Sequence, residues 1–312
     1  MYSQINHWVL VLLCCISIGL SSWLIVLLIK VPKLRKRHSN KIFFSYLIAG
    51  LLASTFRAAY HASTAGLERV NLEEMVHTVD NFVRYKALFT VIDNTNVLLT
   101  LMHLLLLSVE RFTAIKFSYF YERHATNSLA LTLIAGIWAS ALLHLMVTLL
   151  IFFLENGRIC FAVLVATMMI WIISGICFLP ASNITIFYIS WKQIKSIQKL
   201  QVGTKPSHAK EIKQELHAAL VCSLIVLNFL IVWCPVLVTV IQVYWFQCWC
   251  HTLNEVCSFL VVFGSITDAL IYMVFNVEIR KAFLKMSRCK KANSSENKGT
   301  TRHVSITQEH TI

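Results

Sequence analysis

Seven apolar stretches, each long enough to cross a bilayer, follow one another between His7 and Phe275: residues 8–29, 42–62, 87–112, 129–154, 161–191, 216–245 and 256–275. A hydrocarbon core about 30 Å thick needs roughly 20 residues of helix at about 1.5 Å per residue. The backbone finds no water to bond to in lipid, so each stretch is predicted to be a helix. The fold class expected is an all-α membrane protein: a seven-transmembrane helix bundle.

The formal net charge of +13 would suit a nucleic-acid partner if the basic residues were pooled, but they sort by loop. Lys30, Lys33, Arg35, Lys36, Arg37 and Lys41 lie in the first connection. Lys192, Lys195, Lys199, Lys205, Lys210 and Lys213 lie between the fifth and sixth stretches, and Arg280, Lys281, Lys285, Arg288, Lys290 and Lys291 follow the seventh. The opposite loops hold Glu68, Glu73, Glu74, Asp80, Glu155 and Glu255. Cytoplasmic loops carry the excess of Lys and Arg, so the N-terminus is expected outside and the C-terminus in the cytoplasm. Seven crossings require those opposite ends, and the partner implied is the lipid bilayer, with no nucleic acid. The chain divides into a short extracellular segment (1–7), the helix bundle (8–275), an amphipathic eighth helix on the membrane surface (276–288) and a polar, disordered cytoplasmic tail (289–312).

Nothing basic precedes the first stretch and its positive flank follows it, so it is expected to stay as a helix rather than be removed as a signal peptide. No N-glycan is expected, because the Asn-x-Ser/Thr matches at Asn183 and Asn293 fall in a helix and in the cytoplasm. Of the ten cysteines, Cys14, Cys15, Cys177, Cys222 and Cys234 lie in the stretches and read as small apolar residues. Cys248, Cys250 and Cys257 crowd the last outer loop, in an oxidising compartment. A Cys250 to Cys257 bridge is expected there, with Cys160 as a competing partner. Cys289, just past the basic stretch 277–286, is placed for palmitoylation, the alternative being a free cytosolic thiol.

A charge at the centre of a membrane helix costs about 2.5–3.5 kcal/mol, so each polar residue in these stretches asks for a reason. The third stretch ends Leu107-Ser108-Val109-Glu110-Arg111-Phe112. Trp138 stands in the middle of the fourth, and Pro180 with Tyr188 in the fifth. The sixth reads Phe229-Leu230-Ile231-Val232-Trp233-Cys234-Pro235. The seventh ends Asp268-Ala269-Leu270-Ile271-Tyr272, then Ile279-Arg280-Lys281-Ala282-Phe283; Asn40 opens the second. In this order the set resembles the rhodopsin-like (class A) G-protein-coupled receptors, with their Asp/Glu-Arg-Tyr/Phe, Phe-x-x-Cys-Trp-x-Pro and Asn/Asp-Pro-x-x-Tyr signatures.

The resemblance implies a plasma-membrane receptor rather than an enzyme, with no cofactor and no metal. It implies an extracellular ligand and a heterotrimeric G protein as partners. A receptor kinase and an arrestin would read the tail hydroxyls Ser294, Ser295, Thr300, Thr301, Ser305, Thr307 and Thr311. Pro235 removes a backbone bond and makes a hinge, with Trp233 beside it to sense the pocket floor. Glu110, Arg111, Phe112, Tyr188, Glu215, Asp268 and Tyr272 complete the switch and the G-protein-coupling set. Arg111 is expected to be held by Glu110 and to clamp to Glu215; the competing reading of Glu215 is a solvated charge in a mixed run.

Four family positions differ. Ser22 and Gly50 replace the Asn and Asp that anchor a buried sodium ion, so weak or absent sodium sensitivity is expected. Ala269 replaces a proline, and Lys86 stands where a cysteine normally bridges to the second outer loop. The short second outer loop, missing bridge and Asp268 are also similar to the melanocortin, lipid, cannabinoid and adenosine branch.

For the ligand, Asp93 in Phe89-Thr90-Val91-Ile92-Asp93 coincides with the aspartate that amine receptors pair with an ammonium, and Asn94, Val97, Trp233, Val236, Leu237 and Ser258 complete the expected pocket. Against an amine stand Val236, Leu237 and Val262, which leave no aromatic cage. Arg57 either neutralises Asp93, snorkels outward or receives an anionic ligand group. Amine, peptide, lipid-like and nucleoside ligands stay open.

A transporter would show duplicated halves and broken helices, and an intramembrane enzyme a catalytic set such as His-Glu-x-x-His. Neither is present, and His103, His144 and His217 each read as satisfied helix histidines. A decoy receptor that binds without signalling is the remaining alternative; Gly50 and Ala269 speak for it and Glu110-Arg111-Phe112 against it.

Overall fold

A computed structural model describes residues 2–31, 34, 38–67, 75–154, 157–200, 206–245, 251–276 and 279–281. Its long helices are α1 (Tyr2–Lys30), α2 (His38–Leu67), α3 (Met75–Lys116), α4 (Asn127–Leu154), α5 (Gly157–Leu200), α6 (Pro206–Trp245) and α7 (His251–Phe275). Each contains an apolar window long enough to span a bilayer, from Ile5–Lys30 in α1 to Glu255–Phe275 in α7. A short loop helix, Ser118–His124, joins α3 to α4. Its presence was not foreseen. Residues 279–281 are helical after α7, where the eighth helix was expected, and residues 282–312 lie outside the described part.

The bundle is built around α3, which packs against α2, α4, α5 and α6, while α1 closes the ring against α2 and α7. Leu101, Leu104 and Leu107 of α3 meet Ile172 and Leu179 of α5, Val221, Ile225, Phe229 and Trp233 of α6, and Phe43 and Tyr46 of α2 in one core. The outer faces are apolar as well: Leu142, Leu143, Met146 and Leu150 of α4 and Ile170, Ile184 and Phe187 of α5 are all exposed. Helices apolar all round are what a lipid surround requires.

Lipid offers no hydrophobic drive between helices, so close approach rests on small residues. A Cβ on Gly264 of α7 would stand 2.6 Å from Val232 Cγ2, and one on Gly175 of α5 would stand 2.5 Å from Leu101 Cδ2. Val232 is β-branched and cannot swing aside. Gly264→Ala is therefore expected to cost about 1–3 kcal/mol of stability. Gly50→Ala, with nothing within 4 Å of its Cβ, is expected to be neutral or to gain up to about 1 kcal/mol of helix propensity. Melting temperatures of the two purified variants check the contrast.

Pro180 lies inside α5 and Pro235 inside α6. Thr239 donates to the Pro235 carbonyl at 3.0 Å, while α7 runs unbroken through Ala269. The outer-loop disulfide needs correction. Cys257 is a buried free thiol whose Sγ stands 3.2 Å from Thr239 Oγ1, because the helical register of α7 turns it toward α6. Its expected partner Cys250 lies outside the described residues, as does the lipidation candidate Cys289.

Candidate functional site

Polar side chains in the bundle gather in three layers. In the first, Arg57 of α2 meets Asp93 of α3: Nη2 stands 2.7 Å from Oδ1, with the side chains 10% and 28% exposed, and Nε donates to the same oxygen at 2.9 Å. Of the three courses open to Arg57, the structure takes neutralisation. Two charges that would each be costly in lipid answer one another. Beside the pair, Asn94 donates to Thr167 Oγ1 of α5 at 3.4 Å.

Phe89, four residues before Asp93 and so on the same helix face, stacks on Tyr60 of α2 with centroids 3.9 Å apart. Tyr60 in turn stacks on Tyr85 at 6.0 Å.

The second layer is a cavity of about 50 Å³, with Arg57, Val97, Trp233, Asn228 and Asp268 on its wall. That is room for a few waters and not for a ligand. Val236, Leu237 and Ser258 are not among its lining residues. At its floor Asp268 of α7 accepts from Tyr46 Oη of α2 and from Asn228 Nδ2 of α6 at 2.7 Å, so one carboxylate ties three helices. Gly50, Thr100 and Ser265 line the same cavity, and both Asp268 oxygens already carry a donor. Nearby, Trp138 Nε1 donates to Ser45 at 2.8 Å. Ser45 shares a 2.8 Å bond with His103, and His144 meets Thr95 at 3.3 Å. These two histidines are satisfied helix histidines, as expected. Closer to the end, Tyr272 donates to Asn40 at 2.5 Å and stacks on Phe43.

In the third layer Arg111 grips Glu110 with two bonds, Nε to Oε2 at 2.6 Å and Nη2 to Oε1 at 2.6 Å. Both residues are buried, Glu110 at 9% and Arg111 at 4% exposure. Ser39 of α2 donates to Glu110 Oε1 at 2.9 Å and accepts from Arg111 Nη2. Tyr121 of the loop helix donates to the same Oε1 at 2.5 Å. Arg111 is thus tied to its neighbour, to α2 through Ser39 and, through Glu110, to the loop helix. The side chain of Glu215 lies outside the described residues, so the clamp to α6 is not on view. Phe112 packs edge-on to Phe117, with Lys116 over both rings. Tyr188 is 65% exposed on the outer face of α5 and is not brought to this cluster.

Ser39 and Tyr121 are the residues that the sequence reading missed. Tyr121 carried a weak signal, an aromatic one helical turn into the short run after Arg111. Ser39 carried none beyond its place next to Asn40.

The chain matches the family model "7 transmembrane receptor (rhodopsin family)" over residues 23–272. No curated protein matches it.

Proposed function

Since the chain belongs to the rhodopsin family of seven-transmembrane receptors, and so is a multi-pass membrane receptor and not an enzyme, we propose that it sits in the plasma membrane with its N-terminus outside, binds an extracellular ligand in the bundle and activates heterotrimeric G proteins. The observation that carries the signalling half is the buried Glu110–Arg111 grip, closed by Ser39 and Tyr121. Releasing Arg111 frees a guanidinium and separates α3 from α2 and the loop helix, which opens a cytoplasmic mouth for the G protein. The basic segment between α5 and α6 steers an acidic partner surface toward that mouth. A receptor kinase and an arrestin then act on the hydroxyl-rich tail, and palmitate at Cys289 fastens the segment after α7 to the inner leaflet.

The ligand enters above the Arg57–Asp93 pair, beside the Tyr60, Phe89 and Tyr85 stack. A small amine must compete with Arg57 for Asp93, whereas a peptide or lipid-like ligand with an acidic group takes Arg57 instead. Asp93→Asn and Arg57→Ala, made separately, tell these apart. An amine agonist loses potency mainly with Asp93→Asn, and an acidic one mainly with Arg57→Ala. A decoy that binds and stays silent is the alternative reading; full loss of ligand-stimulated second messenger in the native chain, with binding intact, is the result that selects it.

Sodium is expected to have little effect on agonist affinity. No carboxylate stands at Gly50, and Asp268 is already engaged by Tyr46 and Asn228. Agonist competition curves in sodium chloride and in choline chloride should superimpose; a marked sodium shift contradicts this account of the second layer.

A further inference from the structure

On α1 and α2, above Arg57, two imidazoles from different helices point at each other. His7 Nδ1 and His61 Nδ1 stand 3.1 Å apart, with ring centroids 5.3 Å apart and planes tilted by 32°. His61 is 8% exposed, and the edge of the neighbouring Tyr60 ring braces it at 5.3 Å. Two imidazoles on one zinc ion, with Zn–N bonds of about 2.0–2.1 Å at a tetrahedral angle, place their nitrogens about 3.3 Å apart and their ring centroids about 5.2 Å apart. The observed spacings are those of a direct N–H···N bond between the rings and lie within a few tenths of an ångström of the zinc arrangement, so a small rotation of each ring admits the ion.

We propose that His7 and His61 form a transition-metal site which takes Zn²⁺ through both Nδ1 atoms and joins α1 to α2 at the outer rim. In the bond between the rings one Nδ1 carries the proton and the other accepts; when zinc binds, the donating ring exchanges that proton through water to its own Nε2, so both Nδ1 lone pairs face the ion and the pair loses no proton. Imidazole donors select zinc and copper over magnesium and calcium, which prefer oxygen. Among the described residues no group of three or more His, Cys, Asp or Glu is gathered to hold a metal. Among the described residues the site therefore has two protein donors, and with water completing the shell it is exchangeable rather than structural.

The charges around it permit a cation. Arg57 lies one turn inward from His61, but Asp93 compensates it at 2.7 Å. Glu255 of α7 accepts from Asn6 Nδ2, the residue before His7, at 3.3 Å, which brings a carboxylate to the same rim. A zinc ion there fastens two outer helix ends beside the ligand entrance, which makes the site a point of metal modulation.

The test is thermal unfolding of the full-length protein in lipid nanodiscs with ZnCl₂ or MgCl₂, for the native chain, His7→Gln and His61→Gln. Zinc should raise the Tm of the native chain by at least about 2 °C, as a ligand of the folded state does, and magnesium should not. Either glutamine variant should lose that zinc-dependent rise while keeping its own magnesium baseline. His7 is only half-buried, so His7→Gln carries the test if His61→Gln fails to fold. Zinc also meets other His and Cys residues, so the reading is the difference between native and variant. An equal zinc shift in the native chain and His7→Gln, or no zinc shift in the native chain, overturns the proposal.

Discussion

Arg57→Leu is expected to destabilise the folded receptor by about 3 kcal/mol, toward the low end of the range for breaking a buried ion pair. The low end applies because Asp93 is 28% exposed and keeps some contact with water. The loss comes from the partner left behind. Without the guanidinium, Asp93 is a carboxylate between α2 and α3 that has lost the two contacts from Arg57 at 2.7 and 2.9 Å. The double variant Arg57→Leu with Asp93→Leu should recover most of the loss, because two apolar side chains of similar size replace a charge pair at little cost. Melting temperatures of the native chain, the single variant and the double variant measure this directly. If the single variant is as stable as native, the pair is not an internal neutralisation, and the account of the first layer fails.

The second large effect is expected at Glu110. Its Oε1 accepts from Arg111, Ser39 and Tyr121 together, and a hydrogen bond to a charged group is worth about 1.5–3 kcal/mol. Glu110→Gln removes the charge at nearly constant volume and weakens all three bonds at once. A shift of about 1.4 kcal/mol toward the open form changes its population about tenfold while it remains a minority. Ligand-free second-messenger output in cells, normalised to surface expression, should therefore rise by roughly an order of magnitude. Tyr121→Phe removes one donor of the three and should raise it by less. Unchanged output in Glu110→Gln contradicts the idea that this grip holds the receptor closed.

Much of the architecture was legible because bilayer thickness and backbone satisfaction leave few alternatives. An apolar run of the required length can only be a helix there, and α1 to α7 follow those runs. Charges in such helices are also informative, since each needs a partner: neutralising Asp93 is one of the three courses expected of Arg57 and the one the structure takes. What one sequence did not carry was the angle at which each helix faces its neighbours. Cys257 turned toward α6, Tyr188 turned out of the bundle, and the Tyr60–Phe89 stack formed between α2 and α3, each set by tertiary packing and not by local pattern. The loop helix was illegible for a different reason. Seven residues are too few to form a helix on propensity alone, and Ser118–His124 is held by its attachment to α3 and by the bond from Tyr121 to Glu110.

The central claim is that Arg111, gripped in the closed form by Glu110 and Ser39, is the residue whose release couples this bundle to a G protein. Guanine-nucleotide exchange on purified heterotrimeric G protein, catalysed by the native chain and by Arg111→Ala in matched nanodiscs, tests it most directly. The account predicts measurable exchange by the native chain and its loss in the variant, with both proteins melting as folded species. Equal exchange rates for the two, or none from the native chain under any ligand condition that saturates binding, would contradict it.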